Sequence, residues 1–286
     1  MNTLKTYYQL TKPGIIQGNL LNTAAGFFFA STGHINLWLF LSLMAGTALV
    51  IASGCVFNNY IDQGIDLQMA RTKKRALVTG KVSDKAAIIY ATILGLSGFI
   101  ILALFTNWLT WLLGVLGLYF YVVVYGFAKR KTVHGTLIGS ISGALPIVAG
   151  YTAVTGRIDT AAVLLFIILA CWQMPHFYAI AIYRLKDYEA AGLPVLPIKK
   201  GLTETKWQIV AYIVAFILAC QALTYTGYTG YIFSFVMVIL GGIWLFKASQ
   251  GFKAVDDKIW ARNLFFFSLW VILGLDLMLA VGARLP

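Results

Sequence analysis

The chain has 286 residues, of which 60% are hydrophobic and only 11% are charged. Too few polar side chains remain to cover a soluble globule, so composition excludes a water-soluble domain and leaves an integral membrane protein. The formal net charge of +12 would suit nucleic acid, but the basic residues lie between apolar runs rather than on one patch, and no nucleic-acid partner is expected.

In chain order, a polar N-terminus leads through Lys12-Pro13-Gly14 into the first apolar run, with no cleavable signal expected ahead of it. Runs long enough to cross about 30 Å of hydrocarbon fall near residues 14–33, 37–61, 86–105, 108–127, 136–154, 160–183, 207–226, 229–247 and 263–282. Only helices or closed barrels satisfy the backbone in lipid, and these runs are too long for barrel strands. The expected fold is an all-α integral membrane bundle of nine transmembrane helices, in one domain over residues 1–286. Small residues such as Gly139, Ser140, Ser142, Gly143, Gly241 and Gly242 read as close helix packing. Cys55, Cys171 and Cys220 fall within the runs without metal-ligand spacing and read as small buried hydrophobes.

Short connections at 31–36, 106–107, 155–159 and 226–229 alternate with long charged ones at 62–85, 128–134, 184–206 and 247–262. With a cytoplasmic N-terminus and nine spans, all of the 22 Lys and Arg residues except Arg157 and Arg284 lie on the cytoplasmic side, and the C-terminus lies outside. The long loops place the active face in the cytoplasm, where the basic residues also favour the anionic surface of the lipid bilayer.

The second run ends in Asn58-Asn59-Tyr60-Ile61-Asp62-Gln63-Gly64-Ile65-Asp66. At about 3.6 residues per turn, Asn58, Asp62 and Asp66 share a face if the helix persists to Asp66. Two carboxylates at a helix C-terminus repel each other and the macrodipole, unless a cation such as Mg²⁺ neutralises them. Arg71, Lys73, Lys74 and Arg75 follow within reach of a phosphate. The pattern fits either a hydrated loop of mixed charge or a metal-diphosphate site. Lys129-Arg130-Lys131, with Tyr125 one turn earlier, either anchors the fourth run or complements that acidic site.

The sixth run carries Trp172-Gln173-Met174-Pro175-His176-Phe177. Pro175 frees a carbonyl and is expected to kink the helix. His176, about 10 Å inside the membrane mouth, must face the bundle interior; it would ligate a metal, act as acid or base, or bond the freed carbonyl. Tyr183 and Asp187 share a face, and Asp187 is either a second metal or diphosphate ligand or a surface partner for Arg184 or Lys186. Asn19 and Asn22 line one side of the first run, and Asp276 lies deep in the last, needing a partner the sequence does not name.

These segments together resemble the UbiA superfamily of intramembrane prenyltransferases. The resemblance runs from Leu10-Thr11-Lys12-Pro13-Gly14 through the acidic motif and Met69-Ala70-Arg71-Thr72 to Leu193-Pro194-Val195-Leu196-Pro197. The Trp172 to Phe177 stretch and Asp256-Asp257-Lys258-Ile259-Trp260-Ala261-Arg262 are what resemble its haem-modifying branch. Relatives in the wider superfamily carry a second Asp-x-x-x-Asp motif where this chain has Tyr183 and Asp187. The resemblance implies a UbiA-type bundle in a bacterial inner membrane, transferring farnesyl from farnesyl diphosphate to the 2-vinyl group of haem B with addition of water. The product would be haem O, handed on to haem-copper oxidase assembly. It implies Mg²⁺ at Asn58, Asp62 and Asp66; Arg71 and Lys129 at the leaving diphosphate; and substrate contacts from Lys74, Arg75, Arg130, His176, Tyr183, Arg184 and Asp187. His176 is the candidate haem-iron ligand. Two alternatives stand beside it: a UbiA-type transferase for an aromatic acid such as 4-hydroxybenzoate, and a secondary transporter, which would gather its polar groups at the midplane rather than at one face.

Topology gives the first prediction. A reporter fused after Arg71 is expected to read as cytoplasmic and one after Gly156 as external; reversed signals would overturn both the orientation and the cytoplasmic active face.

Overall fold

The computed structural model describes residues 3–282. Its helices are α1 (Thr3–Leu10), α2 (Pro13–Ala30), α3 (Leu37–Ile61), α4 (Gln63–Gln68), α5 (Asp84–Phe105), α6 (Trp108–Tyr119), α7 (Tyr125–Lys131), α8 (Gly135–Thr155), α9 (Thr160–Tyr183), α10 (Leu185–Ala190), α11 (Leu196–Lys199), α12 (Gly201–Tyr225), α13 (Tyr231–Ser249) and α14 (Asp257–Gly282). A π-helical turn, Phe120–Val124, joins α6 to α7 within one span.

Among the described residues eight helices are long and apolar enough to cross a membrane, so the nine-span expectation is met only in part. The remaining expected segment, α2, is a helix packed against α8, α14 and α3 that carries Gln17, Asn19, Asn22 and Thr23 within 18 residues and is not among those eight. Arg284 and the C-terminal end lie outside the described residues.

Neighbours in sequence pack side by side, and contacts of α14 with α2 close the ring. The largest apolar core joins α8, α9, α12, α13 and α14 around Ile147, Leu165, Phe216, Trp244 and Leu275. A smaller one, with Leu10, Val56, Leu77, Val82 and Ala87, lies beneath the loop that follows α4 and fixes that loop over the end of α3.

Two helices begin earlier than hydropathy alone suggests: α12 at Gly201 and α14 at Asp257. Helix formation follows hydrogen bonding rather than apolarity. Asp256 caps α14 by accepting from the N–H groups of Lys258 at 2.8 Å and Ile259 at 3.0 Å. Lys206, in the second turn of α12, then joins the first turn of α14 through Asp257 at 2.5 Å. The α9 helix runs through Pro175 without interruption.

The α2 and α8 helices come close enough for backbone to meet backbone at two glycines. A Cβ on Gly26 would stand 2.0 Å from the Ile147 carbonyl oxygen, and one on Gly150 2.0 Å from that of Thr23. Backbone on both sides leaves nothing free to yield, so these glycines set the distance between the helix carrying Asn22 and the centre of the bundle. Gly150→Ala is therefore expected to destabilise the detergent-solubilised protein by about 1–3 kcal/mol or more, read from thermal unfolding. Gly242→Ala, where an added Cβ meets nothing within 4 Å, is expected to be neutral or to stabilise by up to about 1 kcal/mol; equal loss in both variants would refute the packing account.

Candidate active site

The predicted acidic face exists, with a break in it. Asp62 has left helical geometry, at φ −90° and ψ 6°, and separates α3 from α4. The register survives, because the Asp62 N–H donates to the Asn58 carbonyl at 3.0 Å and the Asp66 N–H to the Asp62 carbonyl at 2.8 Å. Asn58, Asp62 and Asp66 are all buried, at 5%, 7% and 4% exposure, so the two carboxylate charges and the amide must find their partners inside the protein.

Four cations from three parts of the chain meet it. Lys129 on α7 donates to Asp62 Oδ2, and Arg130 donates to Asp62 Oδ1 at 2.9 Å and to the Ile61 carbonyl at 2.6 Å. Arg75 donates to Asp66 Oδ2 at 2.5 Å. Lys12, ahead of α2, donates to Asn58 Oδ1 at 2.6 Å. The loop is held locally by Thr72, whose hydroxyl donates to the Asp66 carbonyl at 3.0 Å.

Lys12 is the candidate site residue that sequence reasoning passed over. It sits in the left-handed region at φ 53°, the one described non-glycine residue there, which turns the chain between α1 and α2 and aims its amine at the acidic site. The signal was the lysine directly before Pro13, a residue that ordinarily is pushed towards extended backbone.

The π-helical turn shifts the register of the fourth span by one residue, as such insertions do at functional sites. Tyr121 and Tyr125 stack with centroids 5.9 Å apart and planes 14° apart, and the Lys129 ammonium lies 5.1 Å above the Tyr125 ring. Lys129 thus spans an aromatic wall and Asp62. Arg71 and Lys74 are exposed beside this cluster and bind neither carboxylate; Arg71 acts electrostatically on Tyr188 of α10, whose hydroxyl is pushed up by burial against that pull.

His176 is elsewhere, between α9 and α14. Its Nδ1 lies 2.7 Å from Ser268 Oγ, so its hydrogen bond goes to a neighbouring helix and not to the carbonyl freed by Pro175. Trp172 stacks on it at 4.6 Å and 27°, while Phe177 and Phe265 flank it at 5.1 Å and 5.0 Å. The Trp172 indole donates to the Ser268 carbonyl at 2.9 Å. Asp276 has its partner in Asn22: with the amide turned, its nitrogen donates to the two carboxylate oxygens at 3.0 Å and 3.2 Å.

At the end of α9, the Arg184 guanidinium lies 4.4 Å over the Tyr183 ring, and that of Arg262 lies 6.0 Å from it. Asp187 forms no ion pair among the described residues, with Arg184 and Lys186 included. The described residues contain no cluster of three His, Cys, Asp or Glu side chains. What fits Mg²⁺ here is a set of hard oxygens, two carboxylates and one amide on successive turns, now occupied by protein cations.

Burial, reinforced by Arg75 and Lys129, pushes the Lys12 ammonium down to about 8, against the pull of Cys55 and Asp62. Between about 8 and its ordinary value of 10.5 the unfolded chain holds a proton that the folded one has released, so this group makes stability rise with pH across that window. Competitive acetylation of Lys12, read by mass spectrometry, is expected to reach half-reactivity near pH 8 in the ligand-free protein; a titration at the ordinary lysine value would remove the burial argument.

Residues 19–270 match the sequence profile of the UbiA prenyltransferase family. Protoheme IX farnesyltransferase 2 of Pseudomonas fluorescens is 51% identical over 285 residues, covering 99% of this chain and 97% of the relative. The protoheme IX farnesyltransferase of Yersinia pseudotuberculosis is 52% identical over 279 residues, covering 97% of this chain and 95% of the relative. Among solved structures, one described as digeranylgeranylglyceryl phosphate synthase superposes with a TM-score of 0.79 at 21% identity, covering 99% of both chains. A UbiA homologue from Archaeoglobus fulgidus bound to GPP and Mg²⁺ superposes with a TM-score of 0.75 at 17% identity, covering 96% of this chain and 99% of that one. At those identities the structures speak for the shared fold alone.

Proposed function

The chain belongs to the UbiA prenyltransferase family, and on that premise we propose that it transfers farnesyl from farnesyl diphosphate to the 2-vinyl group of haem B, adds water, and releases haem O and diphosphate. Near-full-length relatives named protoheme IX farnesyltransferase support the substrate pair. The observation that carries the reading is the division of the site: an ionic cluster on α3, α4 and α7, and a separate imidazole between α9 and α14 walled by Trp172, Phe177 and Phe265. The first suits a diphosphate and the second a flat, apolar molecule with a metal at its centre.

Asn58, Asp62 and Asp66 would hold Mg²⁺, which supplies withdrawal of negative charge from the leaving diphosphate. The chain's own cations do the rest of that task. Lys12, Arg75, Lys129 and Arg130 now sit on the acidic oxygens, and each can exchange that partner for a phosphate oxygen without entering water. Exposed Arg71 and Lys74 complete the basic rim. The bond between farnesyl C1 and oxygen breaks with its electron pair on diphosphate, and the terminal vinyl carbon bonds to C1. Water captures the resulting cation beside the pyrrole and gives up a proton. The apolar bundle keeps water from the allylic cation before the vinyl group reaches it. His176 holds the haem iron, while Arg184, resting on Tyr183, meets a propionate, and Asp187, without an ion pair among the described residues, is left for the diphosphate side.

In the same reading residues 1–286 form one domain in a bacterial inner membrane. Pro13–Ala30 is the ninth span, the N-terminus is cytoplasmic and the C-terminus external, and haem O passes to haem-copper oxidase assembly.

The test is the mass of the porphyrin extracted after purified protein is supplied with haem B, farnesyl diphosphate and Mg²⁺. Wild type is expected to add a hydroxyethylfarnesyl group. Asp62→Asn and Asp66→Asn are expected to lower thermal stability, since each leaves partly buried cations short of one negative charge, and, in the folded fraction isolated at lower temperature, to lose turnover by two orders of magnitude or more, roughly the scale of removing one electrostatic stabiliser. Near-normal activity in both variants would remove the metal-diphosphate assignment; prenylation of 4-hydroxybenzoate without any change to haem would decide for an aromatic-acid transferase.

A further inference from the structure

The Ser268 hydroxyl has one proton and two close neighbours. Its oxygen lies 2.6 Å from the Phe265 carbonyl oxygen, which can only accept, and 2.7 Å from His176 Nδ1. If the hydroxyl donated to the imidazole, two oxygen lone pairs would face each other at 2.6 Å. Both contacts are favourable in one arrangement only: Ser268 donates to Phe265, and the imidazole Nδ1–H donates to Ser268. The proton on Nδ1 leaves Nε2 as a bare lone pair.

Nε2 has no hydrogen-bond partner among the described residues, yet it is not among the side-chain atoms sealed from contact without one. The ring cannot turn to satisfy it. Trp172 covers one face, Phe177 and Phe265 limit the sides, and the Trp172 indole is fastened to the backbone of Ser268. One residue of α14 therefore fixes both the orientation and the tautomer of a side chain on α9. An unpaired acceptor in an apolar wall is costly unless something electrophilic is brought to it.

We propose that Ser268 is a positioning residue that locks His176 in the Nδ1–H tautomer and so presents Nε2, unprotonated, to the iron of the porphyrin substrate. This rests on the reading of haem as acceptor. A ligand histidine whose other nitrogen is held in this way is a stronger donor, and loss of such a partner commonly costs 10- to 100-fold in metal affinity.

The experiment uses the full chain in detergent with ferrous haem B, following haem affinity and the iron–histidine stretching band by resonance Raman. Ser268→Ala is expected to weaken haem binding roughly 10- to 100-fold and to move the band to lower frequency, while Mg²⁺-dependent binding of farnesyl diphosphate is unchanged. Ser268→Thr, which keeps the hydroxyl, is expected to restore both, and His176→Ala to abolish the band. A merely structural serine would lower thermal stability without moving the band. Ser268→Ala with wild-type affinity and band would overturn this inference alone. Absence of an iron–histidine band in wild type would overturn it together with the ligand role of His176, while the porphyrin product mass decides the transferase reading separately.

Discussion

Two carboxylates that are out of water and one turn apart demand compensation, and the end of the bundle that holds them is arranged around supplying it. Asp62 and Asp66 each have a basic partner brought from a distance in sequence: Lys129 and Arg130 across 67 and 68 positions, Arg75 by a loop that folds back over nine. Buried charges that lose a partner cost far more than exposed ones. That makes the loop after Asp66, the π turn before Tyr125 and the left-handed Lys12 parts of one electrostatic arrangement. Each would look like an isolated irregularity without the acidic pair. Lys12 also completes a mechanical link, since Asn59, next to its partner Asn58, donates to the Leu10 carbonyl at 2.8 Å and ties the N-terminal segment to α3.

The same pairs show how such a site, in the proposed function, would be both stable and able to take a diphosphate. A cation paired with a carboxylate in a low-dielectric pocket is already desolvated, so exchange onto a phosphate replaces one charge-assisted hydrogen bond by another and requires little further stripping of water. The small apolar core of Leu10, Val56, Leu77 and Val82 anchors the loop that carries Arg75 to the end of α3. The aromatic wall of Tyr121 and Tyr125 then forms the boundary between the ionic mouth and the apolar interior.

Much of this arrangement was written in local spacing, and what was not was written across helices. The spacing of Asn58, Asp62 and Asp66 gave their common face because backbone hydrogen bonds carry the register through the break at Asp62. Hydropathy placed the apolar spans, but it set the starts of α12 and α14 several residues late, since a cap at Asp256 and an ion pair from Lys206 to Asp257 hold polar turns in helical form. It also counted α2 with the other spans, although α2 carries Asn22, which pairs with Asp276 of α14, and Asn19 and Thr23, which bond within α2 itself. Partners on other helices were beyond a single-chain reading: Asn22 for Asp276, Ser268 for His176, and Lys12 for Asn58. Tyr183 and Asp187 were placed on a shared face by spacing, yet the structure pairs Tyr183 with Arg184 and leaves Asp187 without an ion pair among the described residues, because the chain turns at Arg184.

The two polar features of the interior differ in kind, and the difference follows from geometry. Asn22 and Asp276 satisfy each other across the α2–α14 contact, so they fasten the closure of the ring. His176 has one nitrogen committed to α14 and one without a protein partner among the described residues. A bundle selected only for stability has no reason to leave that second nitrogen unmet while spending a tryptophan, two phenylalanines and a serine on holding the ring still. Rigid support around an unsatisfied donor atom is the arrangement a ligand requires, since orientation fixed before binding need not be fixed during it. The ionic cluster follows the opposite logic, with every acidic group already paired and exchange built in. The fixed ring thus belongs to the packed helices α9 and α14, and the ion pairs to helix ends and the loops beside them.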